Sequence, residues 1–343
     1  MSISKQEIIE LLNTENSQAQ ELRKKAYKIK SDTIGKNVYL RALIEFTNAC
    51  EKDCYYCGLR KSNADVKRYL LSEDEIFDLA MFAHENKFGS IALQSGEVLD
   101  KNYVKNFGKL LAKIKQKTNN NLRIVLSCGE QSKEVYKYWK ECGGDRYLLR
   151  IETTNPKIYE KIHPNDDKHN FQARLDCLQH LRDVGFQVGS GMMVGLPYQN
   201  LEDIADDLLF LKEFDIDMCG LGPFIEHSKT PLYEKRNEIP SRDKRLQLAL
   251  NSVAILRMLM PDINIASATS LDALAKNGRE QGILAGANVI MPNITPERCR
   301  ESYNLYERNI AITKKNVAKE LEKFGEQVCW GKFGDSQHYR NRK

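Results

Sequence analysis

Eight times between residues 39 and 291, a short apolar run rich in β-branched residues gives way to a longer amphipathic one. The short runs (39–46, 90–94, 122–127, 147–151, 187–194, 218–222, 263–268 and 288–291) have the length and composition of buried strands. The stretches between them carry helix signals. Ser72 and Glu75 form a capping-box pair ahead of IFDLAMFAHEN. Gly89, Gly185 and Gly286 each stand between a helical run and the next strand, where a C-terminal cap belongs. Strands that alternate with helices imply a parallel sheet, because parallel neighbours need a crossover long enough to hold a helix. Eight units also suffice to close a (β/α)8 barrel of about 250 residues. The competing arrangement is an open doubly wound sheet with fewer strands. The expected fold is therefore α/β, a TIM-type barrel over residues 38–306. An N-terminal helical extension over 1–37 and a C-terminal helical tail over 307–343, packed on the barrel, complete one domain.

The chain has 343 residues, 41% hydrophobic and 29% charged, and its 52 basic and 47 acidic residues are interspersed. That mixture excludes an obvious nucleic-acid stripe, while the excess of +5 can help attract an anionic substrate. The opening MSISKQEIIELLNTENSQAQELRKK is polar, without the apolar centre of a signal peptide. LALNSVAILRMLM, at 248–260, is too short and too polar to span a bilayer. The expected compartment is the cytoplasm, where thiols stay reduced.

That bears on NACEKDCYYCGLRK, which holds Cys50, Cys54 and Cys57 just after the first strand. A structural zinc site needs four ligands, and no second cysteine or histidine pair exists. A ferredoxin-like run would need a fourth cysteine nearby. Three thiolates on one tight loop suit a four-iron cluster with one iron open to a small molecule. The remaining six cysteines are scattered and read as small buried hydrophobes. Other polar motifs also follow strands: QSGE, SCGE, RIETTNP, MMVGLP and GLGPFIEHSKTPL. Those loops form the C-terminal mouth of a barrel, where active sites sit.

CxxxCxxC in this position, with the aromatic Tyr56 before the third cysteine, resembles the motif of the radical S-adenosylmethionine (SAM) superfamily. Further pieces look like the HydE group of [FeFe]-hydrogenase maturases. They are IEFTNACEKDCYYCGLRKSN, IALQSGE, DRYLLRIETTNP, MMVGLP, FLKEFDIDMCGLGPFIEHSKTPL, GANVIMPNITP and YNLY, spread from 38 to 306. Biotin synthase and 3-methylornithine synthase are the next groups by motif.

The resemblance implies one [4Fe–4S] cluster on Cys50, Cys54 and Cys57, with SAM chelated at its open iron. It implies reductive cleavage of SAM, with the 5′-deoxyadenosyl radical used on a small sulfur- and iron-containing precursor of the hydrogenase active site. It carries Tyr56, Ser95, Gly96, Glu97, Ser127, Glu152, Arg174 and Met193 over as SAM-binding residues. Arg150, Thr269, Arg279, Met291, Tyr303 and Tyr306 carry over as lining of the substrate cavity. The plainer reading of Glu152 is a structural partner of Arg150, and that of Arg174 is an exposed arginine on an amphipathic helix. The partners it implies are a small-molecule substrate, a reductant such as ferredoxin or flavodoxin, and other hydrogenase maturases, with no nucleic acid and no membrane. Two positions depart from the group's pattern: Ile151 stands where some members carry histidine, and Ala268-Thr269 replaces a Thr-Thr pair, both expected to remove polar groups from the cavity. The alternatives are a radical SAM mutase or sulfur-chemistry enzyme acting on an amino-acid-like substrate, and a non-catalytic iron–sulfur carrier.

Overall fold

The computed structural model describes residues 3–305 and 314–342. Its strands are β1 Asn37–Thr47, β2 Ser90–Ser95, β3 Arg123–Ser127, β4 Arg146–Leu148, β5 Gln187–Ser190, β6 Met193–Val194, β7 Met218–Cys219, β8 Gly222–Pro223, β9 Asn264–Ile265, β10 Val289–Ile290 and β11 Gln327–Val328. The main sheet runs β10-β1-β2-β3-β4-β5-β7-β9, all parallel. Its two ends meet. Ala266 bridges Val289, the Ser267 amide donates to Val289 O at 2.8 Å, and the Asn288 amide donates to Ile265 O at 2.9 Å. Eight strands thus close into a ring, and every carboxyl end lies on one rim.

Helices cover the outside: α1 Lys5–Asn13, α2 Asn16–Ile34, α3 Glu73–Glu85, α4 Lys101–Lys117, α5 Lys133–Glu141, α6 Pro156–Ile162, α7 Phe171–Asp183, α8 Leu201–Glu213 and α9 Arg242–Leu259. The capping box of Ser72 and Glu75 opens α3 as expected. Gly185 and Gly286 have φ of 86° and 118° and turn the chain after helices. Gly89 has another role. The left-handed residue after α3 is Lys87, and a Cβ on Gly89 would stand 1.7 Å from Lys332 O, so the glycine admits the C-terminal tail.

Strand parity sorts the barrel. Val38, Leu40, Ala42, Ile44 and Phe46 of β1 belong to the core between sheet and helices. Leu43, Ala92, Val125 and Met218 form a separate interior cluster with Leu148 and Met291 against it. Runs 187–194 and 218–222, expected as single strands, are each broken in two. At Gly191 the backbone passes so near Gly220 that a Cβ would stand 2.2 Å from Gly220 O, and beyond that crossing β6 pairs with β8 instead.

The tail seals the amino end of the barrel. β11 pairs with the start of β1, and Asn264 Nδ2 donates to Gly334 O at 2.8 Å. Arg146, fully buried, reaches Asp335 at 2.6 Å and Phe333 O at 2.8 Å, while Gln187 Nε2 donates to Asp335 at 2.7 Å. Burial alone would raise the Asp335 carboxyl, but Arg146, Gln187 and Arg123 hold it below its ordinary value. A depressed carboxyl contributes stability above its unfolded-state pKa and loses it as pH falls through the folded one. Asp335→Ala leaves Arg146 buried without its carboxylate. It is expected to cost about 3–5 kcal/mol at neutral pH, with a difference from wild type that shrinks under acid. Thermal unfolding of both proteins at two pH values checks this, and equal midpoints at pH 7 would refute it.

Candidate functional site

The loop after β1 is held by its own side chains. Asn48 Nδ2 donates to Lys67 O at 2.9 Å and Ser302 O at 2.7 Å, and the Tyr69 amide donates back to Asn48 Oδ1 at 2.9 Å. Arg68 donates to the carbonyls of Asn48, Leu59 and Arg60 at 2.6–2.8 Å. Asn63 Nδ2 donates to Gly58 O, and the Cys57 amide donates to Cys54 O. The loop thereby satisfies its backbone without a regular element. Burial raises all three thiols, Cys57 to about 12 with Cys50 as the next cause. They stay protonated until a metal displaces the proton. Among the described residues no three His, Cys, Asp or Glu side chains stand grouped closely enough to hold a single metal ion.

The end of β2 presses on this loop. A Cβ on Gly96 would stand 2.1 Å from Ala49 O and 2.6 Å from Cys50 Cβ, so only glycine fits. The Glu97 amide then donates to Cys50 Sγ at 3.3 Å, and the Glu51 amide donates to Glu97 O at 2.9 Å. Ser95 Oγ donates to Gly96 O.

From Glu97 a buried charge network extends under the loop. Lys52 Nζ lies 2.7 Å from Glu130 and 3.4 Å from Glu97, and the Glu130 amide donates to Glu97 Oε2 at 2.7 Å. Glu130 also pairs with Arg174 Nε, whose Nη1 donates to Arg150 O at 2.6 Å. Arg174 is 7% exposed, in the first turn of α7, so it is no exposed helix arginine. Burial lifts Glu97 to about 7, against Lys52. Glu130, despite burial, is held low by Arg174 and Lys52. Lys52 and Glu130 were not singled out from the sequence. The signal was there: SCGE and EKDC each put a charge at a strand end.

Glu152 follows β4 in the left-handed region, at φ 68°, pinned by its amide to Gly191 O and by the Met193 amide to its own carbonyl. Its buried Oε2 ion-pairs with Arg150 Nη2 at 3.0 Å. Arg150 Nη2 donates to Met192 O. Tyr56 sets its hydroxyl 3.3 Å from His163 Nε2, while His163 Nδ1 donates to Tyr159 O at 2.9 Å. Burial pushes His163 down to about 3, so the ring is a neutral acceptor. Met193 packs in a small apolar cluster that Tyr55 and Tyr56 cover.

The cavity residues divide. Met291 lies on the apolar interior cluster, and Ser127 is the last residue of β3, paired with Gln94. Tyr303 is buried with its hydroxyl 3.1 Å from Gln94 Nε2. Thr269 caps the helix Ser270–Leu274, and Arg279 ion-pairs with Asp272. Tyr306 lies outside the described residues. Ile151 is wholly buried in the main core, on the opposite parity from Arg150 and Glu152, so it takes no polar group from the cavity. Ala268 faces Gly222. Glu45 was missed: it shares the inward parity of Leu43, is raised to about 7 by burial, and accepts from Asn293 at 2.7 Å.

Gly96→Ala forces the cysteine loop aside. Overpacking of this kind costs about 1–3 kcal/mol, and the thermal midpoint is expected to fall accordingly. An unchanged midpoint would mean that the loop yields freely.

A model of the radical SAM superfamily matches residues 44–211. The chain is 43% identical over 299 residues to the [FeFe] hydrogenase maturase subunit HydE of Thermotoga maritima, covering 87% of this chain and 82% of that protein. It is 25% identical over 330 residues to 3-methylornithine synthase of Methanosarcina acetivorans, covering 94% and 89%. A crystal structure of methylornithine synthase (PylB) superposes with a TM-score of 0.83 at 23% identity, over 96% of this chain and 95% of that one, which establishes the barrel fold. The chain belongs to the radical SAM superfamily and, within it, to the family of the [FeFe] hydrogenase maturase subunit HydE.

Proposed function

We propose that this chain is a HydE-type radical SAM enzyme of [FeFe]-hydrogenase maturation, working in the cytoplasm on a small sulfur- and iron-containing precursor. The observation that carries the reading is the Gly96–Glu97 contact, which joins a three-thiol loop to a buried carboxylate–arginine network at the mouth of a parallel barrel. Cys50, Cys54 and Cys57 would hold one [4Fe–4S] cluster, with the open iron left to SAM. When bound, the cluster and SAM supply one electron and the 5′-deoxyadenosyl radical. The residues themselves bind and orient. Arg174, fixed by Glu130, would take the methionine carboxylate. Glu97 and Glu152, the latter ion-paired with Arg150, would accept from the ammonium and ribose hydroxyls, while Tyr56, Ser95, Ser127 and Met193 would complete the cofactor cavity.

Below them, Arg150, whose Nε is buried without a hydrogen bond, takes the anionic part of the substrate. Met291 would form the floor, and Tyr303, Thr269 and Arg279 would form the surround. The barrel, the N-terminal helices and the tail act as one domain. A reduced ferredoxin or flavodoxin supplies the electron, and other maturases handle the precursor and product.

Cys54→Ser is expected to abolish 5′-deoxyadenosine formation with dithionite, because the hydroxyl is a poor iron ligand beside thiolate. Full production by this variant would end the assignment. Arg174→Ala is expected to keep its iron and lose on the order of 2–5 kcal/mol in SAM affinity, much of it from partners left unpaired. Calorimetric titration with SAM reads the loss, and wild-type affinity would return Arg174 to a structural role.

A further inference from the structure

Asp100 caps helix α4, its carboxylate accepting from the Tyr103 amide at 2.8 Å. Beyond the cap the first turn holds no acidic residue, and Lys101, Lys105 and Lys109 follow at intervals of four, all exposed. Cations at a helix N-terminus oppose the macrodipole, and like charges at i,i+4 repel. Among the described residues none of the three has a salt-bridge partner, although Lys113, one turn further on, pairs with Asp74.

What this surface adjoins is the cysteine loop. Lys101 and Lys105 line an open cleft of about 670 Å³ whose inner wall is Lys52, Glu97 and Glu130. A second cleft of about 320 Å³ abuts Ala49 and Val98. Between the two runs the segment 97–99, and apolar side chains stand out on both sides: Leu99 is 46% exposed and Leu70 is 64% exposed. An apolar centre rimmed by unpaired lysines has the anatomy of a docking patch, and small interfaces of this kind serve brief electron-transfer encounters. The wiring behind it is short. Glu97, two residues from Leu99, donates its amide to Cys50 Sγ at 3.3 Å.

We propose that the patch formed by Leu70, Leu99, Lys101 and Lys105, with Lys109 at its margin, docks the acidic one-electron carrier protein that reduces the cluster, with Cys50 as the point of entry. The proposal rests on the cluster reading above. One electron leaves the carrier, which is oxidised, and enters the cluster, which is reduced; no bond forms or breaks in the transfer. Lysines on the rim steer the negative partner and make the encounter sensitive to salt.

The test uses reconstituted full-length protein with flavodoxin as the probe. Binding is titrated by calorimetry at low and high salt, and 5′-deoxyadenosine is assayed with reduced flavodoxin and, separately, with dithionite. Lys101→Glu/Lys105→Glu is expected to weaken flavodoxin binding ~10-fold or more and flatten its salt dependence. Turnover with flavodoxin should fall while turnover with dithionite stays at wild-type level. Leu99→Ser should weaken binding without changing the salt dependence, and Lys25→Glu, an exposed charge reversal on α2, should do neither. Wild-type binding and salt dependence in the double lysine variant would overturn the proposal, as would an equal loss in Lys25→Glu. Wild-type protein that binds flavodoxin through these lysines but makes no 5′-deoxyadenosine with dithionite would overturn the enzymatic reading and leave the surface standing.

Discussion

The closeness of the β2 end to the cysteine loop governs the rest of the site. The register between β1 and β2 shifts between Glu45 and Thr47, so that Thr47 aligns with Ser95. That irregularity turns β1 outward just before Asn48 and brings Gly96 under Ala49 and Cys50. Any side chain at Gly96 would lift the loop off the sheet. The Glu97 amide would then lose Cys50, and Glu97 would lose its place beside Lys52. Hydrogen bonds from Arg68 and Asn48 give the loop its shape, but the glycine sets its position on the barrel.

Four charges meet beneath that contact, two cations and two carboxylates, all nearly buried: Lys52, Arg174, Glu97 and Glu130. Removing any one would strand a charge in a medium that does not solvate it. Glu130, between both cations, is held firmly ionised. Glu97 sits farther from Lys52, at 3.4 Å against 2.7 Å, and is lifted to about 7. The same network therefore makes one carboxylate a fixed strut for Arg174 and leaves the other weakly held. The buried carboxylate of Glu130 thus fixes the arginine's place before any other contact is made.

The alternation of short apolar and long amphipathic runs carried the barrel, because strands buried on both faces leave a plain trace and the helices carry their own caps. The cysteine loop was legible for the same kind of reason: three thiols at fixed spacing fit few chemistries. Other features were hidden because they depend on contacts distant in sequence. Gly89 read as a helix cap, but its close neighbour is Lys332, 243 positions away. Lys52 and Glu130 are 78 residues apart and acquire meaning only as a pair. Arg174 looked amphipathic because its helix is, and only the burial of one turn against Glu130 distinguishes it. Ile151 seemed to border the cavity, and one step of strand parity puts it on the other face.

The two ends of the barrel do different things, and that division bears on the spare thiols. The amino end is tied to the tail through Asp335, Arg146 and Gln187, a stabilising arrangement. Cys329 belongs to that end, with its thiol 3.2 Å from Asn37 Oδ1 at the start of β1. Cys299 lies toward the mouth, where Arg298 donates to its sulfur at 3.0 Å and the nearby Ser302 O accepts from Asn48, just past the end of β1. An 11-residue strand separates those places, a span on the order of 30 Å at ~3.3 Å per residue. No iron–sulfur unit bridges such a distance, so the two thiols serve packing at opposite ends. The three on the loop lie within eight positions of one another at the open rim.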